Sequence, residues 1–118
     1  MPTLLVVEDD PAIAEMFRNI LLEERYGVFL ASTTTDALSI LSSYRVDLII
    51  ADLEPGLYAD PSWKGVRQLR QAAPNIPLIV CTGHQQAAKV PPEHEGIGAT
   101  LLKPFELDHL MELTTRFC

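Results

Sequence analysis

Charged and polar side chains follow four of the short apolar segments of this sequence, at the point where each segment ends. The first segment runs into Glu8 and Asp9, and the third runs into Asp52. Thr82 closes the fourth segment, and Lys103 follows the fifth. Brought together, three carboxylates, a hydroxyl and an ammonium would supply the groups that phosphoryl transfer requires.

Carboxylates placed this close disfavour one another's ionisation. A hard divalent cation relieves that repulsion, and Mg²⁺ suits a site of few carboxylates and several waters. In such a site the cation and Lys103 would neutralise the phosphoryl oxygens, Thr82 would donate a hydrogen bond, and a carboxylate oxygen would attack phosphorus. Mg²⁺, or Mn²⁺ in its place, is therefore the predicted cofactor.

The elements that must position these groups follow from the apolar pattern. Five short apolar segments, typical of strands buried on both faces, alternate with helical patterns. The strands are predicted at residues 3–7, 28–31, 46–51, 78–81 and 99–102. This alternation predicts an α/β fold, a flavodoxin-like (βα)5 three-layer sandwich whose parallel sheet has the strand order 2-1-3-4-5. Ligands of such sheets bind at the carboxyl ends of the strands, where the polar groups lie.

The first two helices carry clear signals at their ends. Asp10 before Pro11 predicts a capped helix from residue 11 to about residue 25, with Gly27 ending it. We interpret Asp10 as this cap rather than as a metal ligand. Thr33 is the predicted cap of the second helix.

The helices of the second half are less regular. Ser62 is the predicted cap of the third helix, and the last helix is predicted from Leu107 onward. The fourth helix, between residues 83 and 98, is expected to be irregular, because Pro91 and Pro92 allow only a short or broken one.

Length and charge limit the class of protein. The 118 residues form one predicted domain, residues 1–118, and carry a formal net charge of −7. This charge disfavours direct binding of nucleic acid. The apolar runs are too short to span a membrane and the start of the chain lacks the pattern of a signal peptide, so a cytoplasmic location without membrane binding is expected.

At the ends of its strands the chain resembles a known family, the receiver domains of two-component response regulators, in the CheY-like superfamily. The motifs that carry the resemblance are Leu5–Asp10, Asp47–Asp52, Val80–Gly83 and Lys103–Phe105. No single motif is specific, but their order and spacing match over essentially the whole chain. The resemblance implies a phosphoacceptor that switches conformation, not an enzyme that acts on a diffusible substrate.

The resemblance also implies a role for each polar residue. Asp52 would take a phosphoryl group from a histidine of a kinase or a histidine phosphotransfer protein, and would then control a partner or an attached output domain. Thr82 and Lys103 would bind the phosphoryl oxygens. The implied metal ligands are Glu8, Asp9, Asp52 and, through its backbone carbonyl, Glu54.

The chain departs from the family pattern in two places. The loop after Asp52 carries an insertion, so that Pro55 comes one residue early and Gly65 takes the place of the usual glycine. Thr100, or no residue at all, stands where the family usually has a switch aromatic. The acceptor site is thus expected to be intact and the usual output face altered.

Two alternatives remain open at this point. The altered loop and fourth helix are consistent with a receiver fold that is not phosphorylated and serves as a docking module, a pseudo-receiver. The acidic pair Asp52 and Glu54 also loosely resembles that of a Toprim-type metal-dependent nucleic-acid enzyme, although the negative charge disfavours such a substrate.

Overall fold

Parallel strands and helices alternate along the chain. The computed structural model describes residues 2–52, 64–82, 99–102 and 107–117. The strands are β1 (Thr3–Val7), β2 (Gly27–Ala31), β3 (Leu48–Asp52), β4 (Leu78–Thr82) and β5 (Ala99–Leu102). The helices are α1 (Pro11–Glu23), α2 (Thr34–Ser43), α3 (Lys64–Ala72) and α4 (Leu107–Phe117). The helix predicted between residues 83 and 98 and the predicted cap Ser62 lie outside the described residues.

The strands form a single sheet with the order β2-β1-β3-β4-β5, and every neighbouring pair is parallel. This is the predicted strand order. Because all strands run the same way, their carboxyl ends share one edge of the sheet, and the helices return the chain to the opposite edge.

Successive strand residues point to opposite faces of the sheet, and each face builds its own core. The core shared with α1 and α4 contains Leu4, Val6, Phe17, Leu21, Leu48, Ile50, Ile79, Cys81, Leu110 and Leu113. The core shared with α2 and α3 contains Leu5, Val7, Ala31, Ala37, Val46, Ile49, Ala51, Leu69, Ala73, Leu78 and Val80. A fully buried leucine or isoleucine side chain contributes about 1.5–3 kcal/mol. The predicted three-layer arrangement is confirmed, with helices packed on both faces of the sheet.

Arg70 joins the end of α3 to the start of β4. One of its terminal nitrogens donates to the carbonyls of Ala73 (3.2 Å), Pro74 (3.3 Å) and Ile76 (2.7 Å). Burial lowers the pKa of the Arg70 guanidinium, but an arginine stays charged in proteins. The turn before β4 is therefore fixed by a charged donor, which the sequence pattern did not indicate.

The carboxyl end of α1 closes on a residue in the left-handed region. Arg25 has φ 66°. Its N–H donates to the carbonyl of Leu22 (3.0 Å), and the N–H of Tyr26 donates to the carbonyl of Leu21 (3.1 Å). These are the two hydrogen bonds of a Schellman motif.

The prediction that Gly27 ends α1 is therefore wrong. Gly27 opens β2, and its N–H donates to the carbonyl of Pro2 at 2.9 Å. A Cβ on Gly27 would lie 3.2 Å from Oγ1 of Thr3, which is a tight contact. The glycine is explained by the close approach of β1, not by the end of the helix.

Arg25→Gly is expected to raise the free energy of unfolding by about 0.5–1 kcal/mol, because glycine enters the left-handed region without the steric cost of an L side chain. Chemical denaturation of both proteins measures the difference. Glu24→Gly is the matched control, since Glu24 has φ −86°, and this change should lower the free energy of unfolding. Equal losses in the two variants would contradict the assigned turn.

Asp47 ties the start of β3 to the start of β1. Its backbone N–H donates to the carbonyl of Thr3 at 2.7 Å, and its Oδ2 accepts the N–H of Thr3 at 2.8 Å. The pairing of β3 with β1 begins at Leu48, later than the predicted start at residue 46. Val46 precedes β3 but is buried. Its apolar side chain is the reason that the strand was predicted to begin at residue 46.

Asp47→Ala should lower the free energy of unfolding by about 1–3 kcal/mol, because the Thr3 N–H would lose a charged acceptor while staying partly buried. Arg45→Ala is the control. Arg45 lies 3.5 Å from Asp47 with its side chain 92% exposed, so its loss should change stability by less than about 1 kcal/mol. If denaturant midpoints show the two variants to be equally stable, the Asp47–Thr3 pair does not fix the edge.

Candidate functional site

The register of β1 against β3 brings two of the predicted acidic positions to one level. Val7 pairs with Ala51, so the residues that follow them in the chain, Glu8 and Asp52, come at the same edge of the sheet. Neighbouring strands lie about 4.8 Å apart. The acidic turn after β1 therefore begins one strand away from Asp52.

The remaining strands carry the other predicted positions to the same edge. Asp52 pairs with Cys81, and Thr82 pairs with Leu102. Thr82 thus stands one step beyond Asp52 on the neighbouring strand, and Lys103 follows Leu102 in the chain. Lys103 itself, like Glu54, lies outside the described residues, as do the side chains of Asp52 and Thr82.

Glu8 is a buried carboxylate, with 2% of its surface exposed. Its N–H donates to the carbonyl of Ala31 at 2.9 Å, which continues the β1–β2 pairing by one residue. Its Oε1 accepts the N–H of Asp10 at 2.9 Å. A buried charge is tolerated only with such partners, so the position of Glu8 is tightly defined.

Asp10 is the N-cap of α1, as predicted. Its Oδ1 accepts the N–H of Ala12 at 2.9 Å and that of Ile13 at 3.3 Å. Pro11 occupies the first helical position, where its missing N–H costs nothing. The partial positive charge at this end of α1 also favours the three carboxylates of the turn.

Asp9 differs from both of its neighbours. Its side chain is exposed, like that of Asp10, but within the described part of the chain it makes no hydrogen bond or ion pair. Asp9 is therefore the one carboxylate of this turn that has no role in holding the turn together.

The donor chemistry of the turn fits a hard divalent cation, because oxygen ligands from a few carboxylates suit Mg²⁺. Of the four predicted metal ligands, Glu8 and Asp9 have described side chains. The described side chains contain no cluster of three potential metal ligands, and the predicted third carboxylate, that of Asp52, is not among them. The assignment of Glu8 and Asp9 as metal ligands stays a prediction. The residue types give no signal for the hydrogen bond from the Asp10 N–H to Glu8.

Comparison with known proteins identifies the class. The model of the response regulator receiver domain family matches residues 4–115, and the chain belongs to this family. The transcriptional regulatory protein GlrR of Escherichia coli K12 is 28% identical in an alignment of 110 residues that covers 92% of this chain and 24% of GlrR. The response regulator MprA of Mycolicibacterium vanbaalenii is 32% identical in an alignment of 112 residues that covers 92% of this chain and 46% of MprA. The chain thus spans about a quarter of one relative and under half of the other.

Solved structures agree with this assignment. The wild-type response regulator TrrA from Thermotoga maritima, in complex with Mg²⁺-BeF, superimposes with a TM-score of 0.83 at 25% identity and full coverage of both chains. A two-component response regulator from Clostridium difficile superimposes with a TM-score of 0.85 at 19% identity, covering 99% of this chain and 95% of that one. The second likeness shows the fold alone. Within the described segments, no helix has the length and apolar character needed to cross a membrane.

Proposed function

We propose that this receiver domain is a Mg²⁺-dependent phosphoacceptor and that Asp52 carries the phosphoryl group. One observation supports the proposal above the others: the register of β1, β3 and β4 converges Glu8, Asp9, Asp52 and Thr82 on one edge of the sheet. The family to which the chain belongs acts through phosphorylation, and all residues that its pattern requires at these positions are present in the sequence.

Glu8, Asp9, Asp52 and the backbone carbonyl of Glu54 would hold the cation. Bound Mg²⁺ would supply positive charge to the phosphoryl oxygens and offset the repulsion among the carboxylates. TrrA, which was solved with Mg²⁺-BeF, supports this cofactor. Mn²⁺, which also takes carboxylate and water ligands, is the expected substitute.

The transfer itself needs one nucleophile. A carboxylate oxygen of Asp52 attacks phosphorus in line with the phosphorus–nitrogen bond of a phosphohistidine. The new phosphorus–oxygen bond forms as that bond breaks, and the electron pair returns to the imidazole nitrogen. The donor is a histidine kinase or a histidine phosphotransfer protein.

Thr82 and Lys103 act on the other side of the phosphoryl group. The Thr82 hydroxyl donates a hydrogen bond to a phosphoryl oxygen, and the Lys103 ammonium neutralises part of its charge. The product adds roughly two negative charges next to β4. This local change would switch the domain and so control an output partner or an attached output domain.

A receiver fold that is never phosphorylated is the second candidate. The insertion after Asp52 in the sequence and the prolines Pro91 and Pro92 favour it, whereas the complete acidic and phosphoryl-binding set in the sequence favours the first. Membership in the receiver family argues against the Toprim-type enzyme. Receiver domains act in two-component systems as phosphoacceptors rather than as enzymes on diffusible substrates, and a cytoplasmic location is the proposed setting.

Acetyl phosphate with Mg²⁺ should add one phosphoryl group to the protein, and intact-mass spectrometry measures it. Asp52→Asn should remove the gain, because an amide is not a nucleophile toward phosphorus. Asp47→Asn is the matched control, since Asp47 flanks the opposite end of β3, and it should be phosphorylated like the wild type. A wild-type protein that stays unmodified would support the pseudo-receiver instead.

Mg²⁺ should also stabilise the fold, by about 2.7 kcal/mol at one hundred times its dissociation constant. Asp9→Ala should lose most of this gain, because an exposed ligand is removed without disturbing the turn. Glu23→Ala removes the same charge at the far end of α1 and should keep the gain. Thermal denaturation with and without Mg²⁺ measures this gain as a rise in melting temperature. A rise in Asp9→Ala equal to that of the wild type would overturn the assigned site.

A further inference from the structure

The turn between β1 and α1 consists of Glu8, Asp9 and Asp10, and both of its ends are anchored. At the strand end, the Glu8 N–H donates to the carbonyl of Ala31 at 2.9 Å. At the helix end, Oδ1 of Asp10 accepts the first two free N–H groups of α1. The acidic turn is thus held between the sheet and the helix.

The two anchors are also joined to each other. The backbone N–H of Asp10 donates to Oε1 of Glu8 at 2.9 Å. Asp10 presents this N–H while it holds the extended conformation of an N-cap, with φ −87° and ψ 115°. The capping side chain of Asp10 favours that conformation, so the cap of α1 supports the hydrogen bond that the Glu8 carboxylate accepts.

Asp9 lies between these fixed neighbours. No contact of its own side chain orients it within the described residues, so its direction follows from the backbone on both sides. Asp10, by contrast, already accepts two backbone N–H groups on Oδ1. Its side chain is therefore engaged in capping α1.

We propose that Asp10 is a positioning residue for the divalent cation: it does not bind the metal, but its cap holds Glu8 and directs Asp9 toward it. The proposal rests on the metal site of the proposed function and adds a residue to it. Outer groups that orient metal ligands typically change affinity by 10–100-fold when removed. We expect the loss of the cap to weaken Mg²⁺ binding by about tenfold.

Titration calorimetry with Mg²⁺ tests this on the intact chain. Asp10→Ala should weaken binding about tenfold. Asp10→Ser and Asp10→Asn can both cap a helix, so both should bind Mg²⁺ within about threefold of the wild type, given that one exposed charge acts weakly through water. If the serine and asparagine variants lose as much affinity as the alanine variant, Asp10 is a ligand or acts by its charge, and the positioning role is wrong.

Two further variants separate positioning from stability. Asp10→Gly keeps α1 stable, because glycine is tolerated at an N-cap, yet it has no side chain to hold the turn. It should bind Mg²⁺ as weakly as Asp10→Ala while remaining folded. Thr33→Ala removes the cap of α2, where Oγ1 of Thr33 accepts the N–H of Asp36 at 3.1 Å. This control should lower the melting temperature without changing Mg²⁺ affinity.

The possible failures are distinguishable. Wild-type affinity in Asp10→Gly and Asp10→Ala, together with lost affinity in Asp9→Ala, would overturn the positioning role and leave the metal site standing. Equal weakening in Thr33→Ala and Asp10→Ala would show that only global stability matters, and would overturn it too. A wild-type chain that binds no Mg²⁺ would overturn the proposed function and this inference together.

Discussion

The alignment of β1 with β3 is the constraint on which the rest of the site depends. Parallel strands advance together, so the pairing of Val7 with Ala51 decides that Glu8 and Asp52 meet at the same level. A slip of one residue in this pairing would turn every side chain of the strand to the other face of the sheet and disrupt both cores. At the opposite edge of the sheet, two hydrogen bonds between Asp47 and Thr3 stabilise the observed alignment against such a slip.

This alignment concentrates negative charge, and the local structure of the turn offsets part of the cost. The Glu8 carboxylate accepts a backbone N–H, and the Asp10 carboxylate accepts two from α1. Among the three carboxylates, only that of Asp9 accepts no hydrogen bond within the described residues. A fold that neutralised all three carboxylates internally would have no reason to bind a cation, whereas one that neutralised none would resist forming the turn. The observed division satisfies both requirements, which is why we interpret the turn as a site rather than as a surface loop.

The sequence predicted those features that a short pattern determines. Continuous apolar runs located the strands, and the strand order followed from the alternation with helices. Asp10 and Thr33 were identified as caps because their side chains act on residues two or three positions away. Features that depend on distant residues were missed. The end of α1 was misassigned because Arg25, and not a glycine, adopts the left-handed conformation there. Gly27 is explained instead by the close approach of Thr3 in β1.

The same distinction between short sequence patterns and distant contacts applies to the candidate site. The positions of Glu8, Asp9, Asp52 and Thr82 at strand ends could be predicted, since each directly follows or closes an apolar run. The burial of Glu8 could not, because it depends on how tightly the turn folds back between the sheet and α1. The metal-binding and phosphoryl-binding roles of all these residues stay predictions, and Glu54 and Lys103 lie outside the described residues.

The strand order also separates the two halves of the proposed chemistry. β3 lies between β1 and β4, so Asp52 has the acidic turn on one side and Thr82 on the other. With about 4.8 Å between neighbouring strands, β1 and β4 lie about 10 Å apart on either side of β3. Thr82 pairs with Leu102, which places the start of the Lys103 segment one strand further still. In the proposed mechanism the acidic turn after β1 contributes to the cation site and Thr82 on β4 contributes to the phosphoryl site, so different elements support the two roles. Under this proposal, the departure at the switch-aromatic position, where Thr100 or no residue stands, would alter the response to phosphorylation and leave the acidic turn unchanged.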